Sequence, residues 1–229
     1  MKTLGLFTDL YQLSMMQGYF FEKKDEVAVF DVYFRAHPSD GGYAILCGLN
    51  EVVDYIENLE FTPYEIEYLK SLKIFKDEFL DYLKEFKFNG EIYAMREGSV
   101  VFAHEPLIRV KANILEAQLI ETAILNIVNF QTLIATKSSR IVRSAQGDAV
   151  MEFGLRRAQG RSAGLYGAKA AIVGGCVGTS NVEAAAKFDV PASGTHSHSW
   201  VQSYDSELES FRAYARNYPD NALLLIDTY

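Results

Sequence analysis

Residues 114–145 contain neither glycine nor proline and repeat apolar side chains at i, i+3 and i+4, a spacing that predicts one long, largely buried helix. The chain downstream narrows the choice further. Short apolar stretches alternate there with helical ones: VMEF precedes RSAGLYGAKAAIV, CVGTS precedes NVEAAAKF, VPASG and THSHSW precede SELESFRAYARNY, and ALLLID comes last. Strand followed by helix, repeated, is the pattern of a parallel sheet or barrel covered by its helices, so the class is α/β. These few strand–helix steps and one final strand do not close an eight-stranded barrel. Either the remaining strands lie in sequence beyond this chain, the reading favoured here, or the sheet is an open one of different design.

Upstream the pattern differs. FTDLYQLSMMQGYFF (7–21) carries helical spacing with Thr8 or Asp9 as a candidate N-cap, and AVFDVYFR (28–35) alternates as a strand before the turn HPSDGG. Helices are predicted over 46–59 and 63–86. From Gly90, EIYAMR, SVVFAH and LIRVKA read as short strands of one small β layer, broken at Glu97-Gly98 and Glu105-Pro106.

Composition bounds the partners. With 229 residues, 49% of them hydrophobic, the chain can bury one sizeable core, or a small domain plus part of a larger one. Thirty acidic against 22 basic residues, a net charge of −8, oppose general attraction to nucleic acid or an anionic membrane, so an anionic ligand must be held locally. Apolar runs stay well below the roughly 20 residues of a membrane span, and Asp9 and Gln12 interrupt any secretory signal. Cys47 and Cys176, far apart and without CxxC spacing, fit a reducing cytoplasm and read as buried small residues.

In a parallel β/α array the loops after the strands converge on one face. Here they are 152–162, 176–182, 192–200 and 227–229, all rich in donors suited to phosphate or carboxylate. Arg156 and Arg157 follow a strand directly, where a guanidinium fork can grip phosphate oxygens; the alternative is a surface pair bridging glutamates. His196 and His198 admit three readings: a metal pair, which lacks a nearby third ligand; a satisfied structural histidine; or an acid–base or nucleophilic histidine. Asn181 or Ser180 can cap the following helix. Lys169 is a candidate Schiff-base lysine of a lyase, against which its mid-helix position argues.

TDLYQLSMMQGYF, FDVYFR, GGYAILCGLNEVVDYI, GEIYAMREGSVVFAHEPLIRV, EFGLRRAQG, GCVGTSNV and GTHSHSWV together, in this order, resemble the nicotinate phosphoribosyltransferases and more distantly the nicotinamide enzyme. The resemblance implies a type II phosphoribosyltransferase architecture: an N-terminal α/β domain over 1–112, then the first part of an irregular, TIM-like β/α barrel over 113–229. It also implies a cytoplasmic homodimer with shared active sites, which joins nicotinate to phosphoribosyl pyrophosphate with coupled ATP hydrolysis and magnesium on the pyrophosphate. No protein-held metal site is expected. By the same likeness Tyr11 stacks on the pyridine from the adjacent subunit, opposite Phe153. Arg35 assists the pyrophosphate end and Arg156 the ribose 5-phosphate side. Thr179 and Ser180 line the substrate loop, with Ser180 donating to a carboxylate where the nicotinamide enzyme has an acid. His198 is the histidine that ATP phosphorylates, with His196 beside it. The rival expectation is a truncated, non-catalytic chain of the same family, an interface or nucleotide-binding module.

Overall fold

The computed structural model describes residues 5–229. Helix α1 (Leu10–Glu22) starts after Asp9, whose backbone is extended as a cap requires. Its carboxylate does not cap the helix: it accepts a hydrogen bond from the Thr122 hydroxyl, 3.0 Å away. Strand β1 (Val27–Val32) is shorter than the alternation suggests, because residues 33–35 leave the sheet to line a cleft. Strand β2 (Ala44–Ile45) leads to α2 (Leu49–Glu57), α3 (Pro63–Ser71) and α4 (Asp77–Lys84). Two expected helices are corrected here. The first begins later, since Gly48 takes φ 106°, a left-handed backbone suited to glycine, and leaves Leu46 and Cys47 outside the helix. The second, over 63–86, is two helices: Thr62 and Glu65 form a capping box on α3, and Lys73 at φ 57° breaks the run before α4.

Strands β3 (Glu91–Ala94), β4 (Val100–Val101) and β5 (Ile108–Asn113) do not form one layer. They split between an antiparallel β1-β5-β3 sheet and a separate β2-β4 pair. In β5 strict alternation buries Ile108, Val110 and Ala112 and leaves Arg109 and Lys111 outside. The long predicted helix is also two, α5 (Ile114–Leu119) and α6 (Glu121–Ser144), parted at Ile120 with no glycine or proline to mark the break.

Beyond α6 the strand–helix rhythm holds. Strand β6 (Met151–Glu152) is followed by α7 (Arg161–Val173), and strand β7 (Gly178–Thr179) by α8 (Val182–Phe188), capped by Asn181 through the Ala184 N–H. Helices α9 (His198–Gln202) and α10 (Glu207–Asn217) complete the elements, so the second half of THSHSW is helical rather than extended. Strands β6 and β7 pair in parallel, and Thr179 bridges in parallel to Ala192, so three successive segments run side by side. ALLLID joins no ladder among the described residues. It is tied through side chains instead: the Thr195 hydroxyl donates to the Leu223 carbonyl, and the Leu225 N–H to His196 Nε2 at 3.1 Å.

The main core gathers Met16, Phe79, Leu83, Ile108, Leu119 and Ile124 among others, and reaches along α6 to Val128. Farther along α6, Ala135 joins a small cluster with Cys47 and Ala170, and a third cluster links Leu165 of α7 to Ala184 of α8. Helix α6 is thus the beam that both regions share.

Candidate functional site

Because β6, β7 and the segment at Ala192 are parallel neighbours, the chain leaves all three at one edge. Glu152 binds the first two exits together. Its carboxylate accepts from the Thr179 hydroxyl and the Gly154 N–H, while its carbonyl accepts from the Ser180 N–H at 3.0 Å. The third exit is joined by the Ser193 N–H, which donates to the Thr179 carbonyl at 3.0 Å. Loops bearing Phe153, Arg156 and Ser180 are therefore held in register by polar ties.

Thr179 itself is fully buried, and its hydroxyl also accepts from the Asn181 N–H at 3.0 Å. It braces Glu152 and has no free face for a ligand. Ser180 is half-buried, and its hydroxyl has no partner among the described residues, so it remains a donor. Phe153 is exposed. Arg156 and Arg157 sit on a 3-10 turn, exposed, with no carboxylate partner among the described residues. The bridging arginine is Arg161 instead, 2.8 Å from Glu183.

The two histidines separate. His196 Nε2 accepts from the Leu225 N–H, which leaves the proton on Nδ1, and the ring packs against Tyr214 at 4.8 Å. This is a satisfied structural histidine. His198 is exposed, with Nε2 3.1 Å from Asp227 Oδ1. An Nε2–H directed at that carboxylate leaves the lone pair on Nδ1, the tautomer in which that atom can act as a nucleophile. Sequence reading marked the loop of Asp227 but missed its pairing with His198; an acid ending an apolar strand-like run was the available signal. Glu152 opens one of the marked loops, but its role in tying them was missed. Among the described residues no group of three His, Cys, Asp or Glu side chains stands ready to hold a metal.

Lys169 is buried between Glu51 Oε2 at 2.6 Å and Glu97 Oε1 at 2.7 Å. Burial alone would lower its pKa, but the two carboxylates outweigh it and hold the ammonium charged. Glu97 mirrors this: burial pushes it up, while the Gly48 N–H, Lys169 and Cys47 bring it below the usual range. Its ammonium partner, Lys169, is engaged as the counter-ion of two carboxylates, which argues against the lyase reading. Both cysteines are free and buried, as expected.

Tyr11 and Arg35 lie elsewhere. They share a cleft of about 560 Å³ with Asp9, Tyr33, Thr122 and Asn126, and none of Phe153, Arg156, Ser180 or His198 lines it. The expected site residues thus form two groups on one chain. No helix among the described residues is long and apolar enough to cross a membrane.

With that geometry established, likeness to known proteins is informative. The family model described as the nicotinate phosphoribosyltransferase (NAPRTase) N-terminal domain matches residues 6–129, and that of the nicotinate phosphoribosyltransferase (NAPRTase) family matches 149–225. The chain is 45% identical to the nicotinate phosphoribosyltransferase of Bacillus subtilis, over 99% of this chain and 46% of that protein. It is 42% identical to nicotinate phosphoribosyltransferase pncB2 of Mycobacterium tuberculosis, over 98% and 48%. Human nicotinic acid phosphoribosyltransferase superposes with a TM-score of 0.80 at 33% identity, over 86% of this chain and 40% of that one. The nicotinate-nucleotide pyrophosphorylase of Pyrococcus furiosus, at 22% identity and a TM-score of 0.76, shares the fold. The chain spans about half the length of the curated relatives it matches.

Proposed function

Because the chain belongs to the nicotinate phosphoribosyltransferase family, we propose that the protein joins nicotinate to phosphoribosyl pyrophosphate in NAD salvage, releasing pyrophosphate and coupling the transfer to ATP hydrolysis. The observation that carries the reading is the common edge at which β6, β7 and the Ala192 segment deliver their loops. Phe153 offers a ring face to the pyridine, Ser180 a hydroxyl to the nicotinate carboxylate, and Arg156 a fork to the 5-phosphate. An aspartate at Ser180 would repel that carboxylate and suit an amide instead. Thr179 and His196 act by holding these loops.

The pyridine nitrogen attacks the anomeric carbon as its bond to pyrophosphate breaks, and the ribose becomes cationic in between. Magnesium carried on the pyrophosphate of the incoming phosphoribosyl pyrophosphate would supply charge that stabilises the leaving oxygens. His198 Nδ1 takes the γ-phosphoryl group of ATP, releasing ADP, and water later removes it as phosphate. Asp227, 3.1 Å from Nε2, orients the ring for that transfer.

Tyr11 and Arg35 complete the constellation from a second copy of the chain. Their separation from the strand-end group supports a homodimer with shared sites, the pyridine lying between Phe153 and the partner copy's tyrosine. We divide the chain into a domain over 1–112 and a β/α barrel region over 113–229, and place the protein in the cytoplasm on its two free, buried thiols.

The test is ATP dependence in the full-length protein. His198→Ala is expected to abolish stimulation by ATP while retaining slow ATP-independent transfer. Stimulation undiminished in that variant removes His198 from the role, and absence of any transfer by the unaltered protein favours the non-catalytic reading.

A further inference from the structure

We propose that Gln12 is a positioning residue for the pyridine site, its side-chain amide, oriented by Glu121, holding the Tyr11 ring; this rests on the reading of Tyr11 just given. Consecutive residues of α1 have opposite surroundings: Tyr11 is 51% exposed on the cleft wall, and Gln12 beside it is fully buried. Gln12 Nε2 lies 2.6 Å from Glu121 Oε2 and 3.1 Å from the Tyr11 hydroxyl oxygen. A primary amide has two N–H bonds, and this arrangement directs one to each neighbour. Turning the amide over would set Gln12 Oε1 against the Glu121 carboxylate, two acceptors in contact, so Glu121 fixes which way it points.

Gln12 Oε1 has no hydrogen-bond partner although it is buried. An unpaired buried acceptor costs stability, and an apolar side chain of similar length would remove that cost. Packing alone therefore gives no reason for a glutamine here; its two donors do. They join α6 to the cleft wall, beside two further ties at the same place: Gln118 Nε2 donates to the Gln12 carbonyl at 3.1 Å, and Thr122 to Asp9. With one lone pair of the Tyr11 hydroxyl filled by the amide, the ring is held at its far end as well as at Cβ.

Kinetics of the full-length protein with nicotinate and phosphoribosyl pyrophosphate test this. Gln12→Met is expected to raise the nicotinate KM about three- to tenfold, the worth of one hydrogen bond, with kcat and the other KM within about twofold. A merely structural role would lower its Tm without singling out the nicotinate KM. Tyr11→Phe keeps the ring, removes the acceptor and should raise the nicotinate KM equally; Gln12→Met should add nothing in that background. Should Gln12→Met not fold, the exposed Tyr11→Phe change carries the test. The relay is overturned if Tyr11→Phe leaves the nicotinate KM unchanged while Tyr11→Ala raises it, or if the Gln12→Met effect persists in the Tyr11→Phe background. An unchanged KM in Tyr11→Ala has a different meaning: the tyrosine is not at the pyridine, and the site reading falls first.

Discussion

The two regions that share α6 are held together by different physics. On the N-terminal side large side chains fill one continuous core, with Phe79 fully buried and its ring beside those of Phe20, Phe75 and Tyr82. On the strand-end side α7 meets α6 and α8 largely through small residues such as Ala135, Ala168, Ala170 and Ala184. A Cβ on Gly174 would lie 2.4 Å from the Ala135 carbonyl oxygen, so α7 can lie this close to α6 only with glycine there. Close approach of small residues buries little apolar surface per residue, and the polar ties of Glu152, Thr179 and Asn181 set the loop geometry instead. One region supplies stability, and the other carries the candidate site groups on loops set by polar ties.

The contrast is sharpest at Phe79. Phe79→Ala removes a fully buried ring from the continuous core and is expected to cost about 4 kcal/mol in chemical denaturation. A loss below about 1 kcal/mol would mean that the core collapses around the gap and is less tightly packed than its burial indicates.

Lys169 tests the seam between the regions, since α7 supplies the ammonium while α2 and the turn before β4 supply the carboxylates. Lys169→Met leaves Glu51 and Glu97 facing each other without a counter-ion and should cost about 3 kcal/mol. The pH dependence follows from the directions of the shifts. Glu97, depressed in the folded state, contributes stability that is present above its ordinary value of 4.5 and lost as pH falls through its lower folded value. Lys169, raised, contributes below 10.5 and loses that contribution as pH rises through its higher folded value. Denaturation curves of the wild type should therefore weaken at both extremes, and the acid limb should flatten in Lys169→Met. An acid limb of unchanged steepness would show that Glu97 titrates independently of the lysine.

Legibility in the sequence follows the same division. Helix α7 lies at its predicted limits and Asn181 caps α8 as anticipated, because alternation and capping are local signals. Breaks at Ile120 and Lys73 were invisible, because neither position carries the glycine or proline that marks an interruption in sequence. ALLLID has the composition of a strand, yet no partner strand among the described residues pairs with it, and composition cannot supply one. In the candidate site, residue types marked loops that the structure brings to one edge, but not which members are already engaged. Thr179 and His196 lie beside Ser180 and His198 with the same chemistry, and only the contacts to Glu152 and Leu225 distinguish a brace from a free group.

Glu152→Gln has the smallest expected effect on stability and gives the most direct test of the contrast. The carboxylate accepts from two donors, the Gly154 N–H and the Thr179 hydroxyl. An amide keeps one acceptor oxygen and turns an NH2 toward the other donor, so one tie is lost and the cost should be about 1 kcal/mol. In the N-terminal core a change of that size would leave geometry nearly intact. Here the lost tie is one of those that aim the loop of Phe153 and Arg156, so both substrate KM values should rise together, severalfold, in a protein that melts almost normally. If stability and KM instead move as little as each other, the loops are fixed by something other than Glu152. The division between a packed region that stabilises and a tied region that positions would then not hold at this edge.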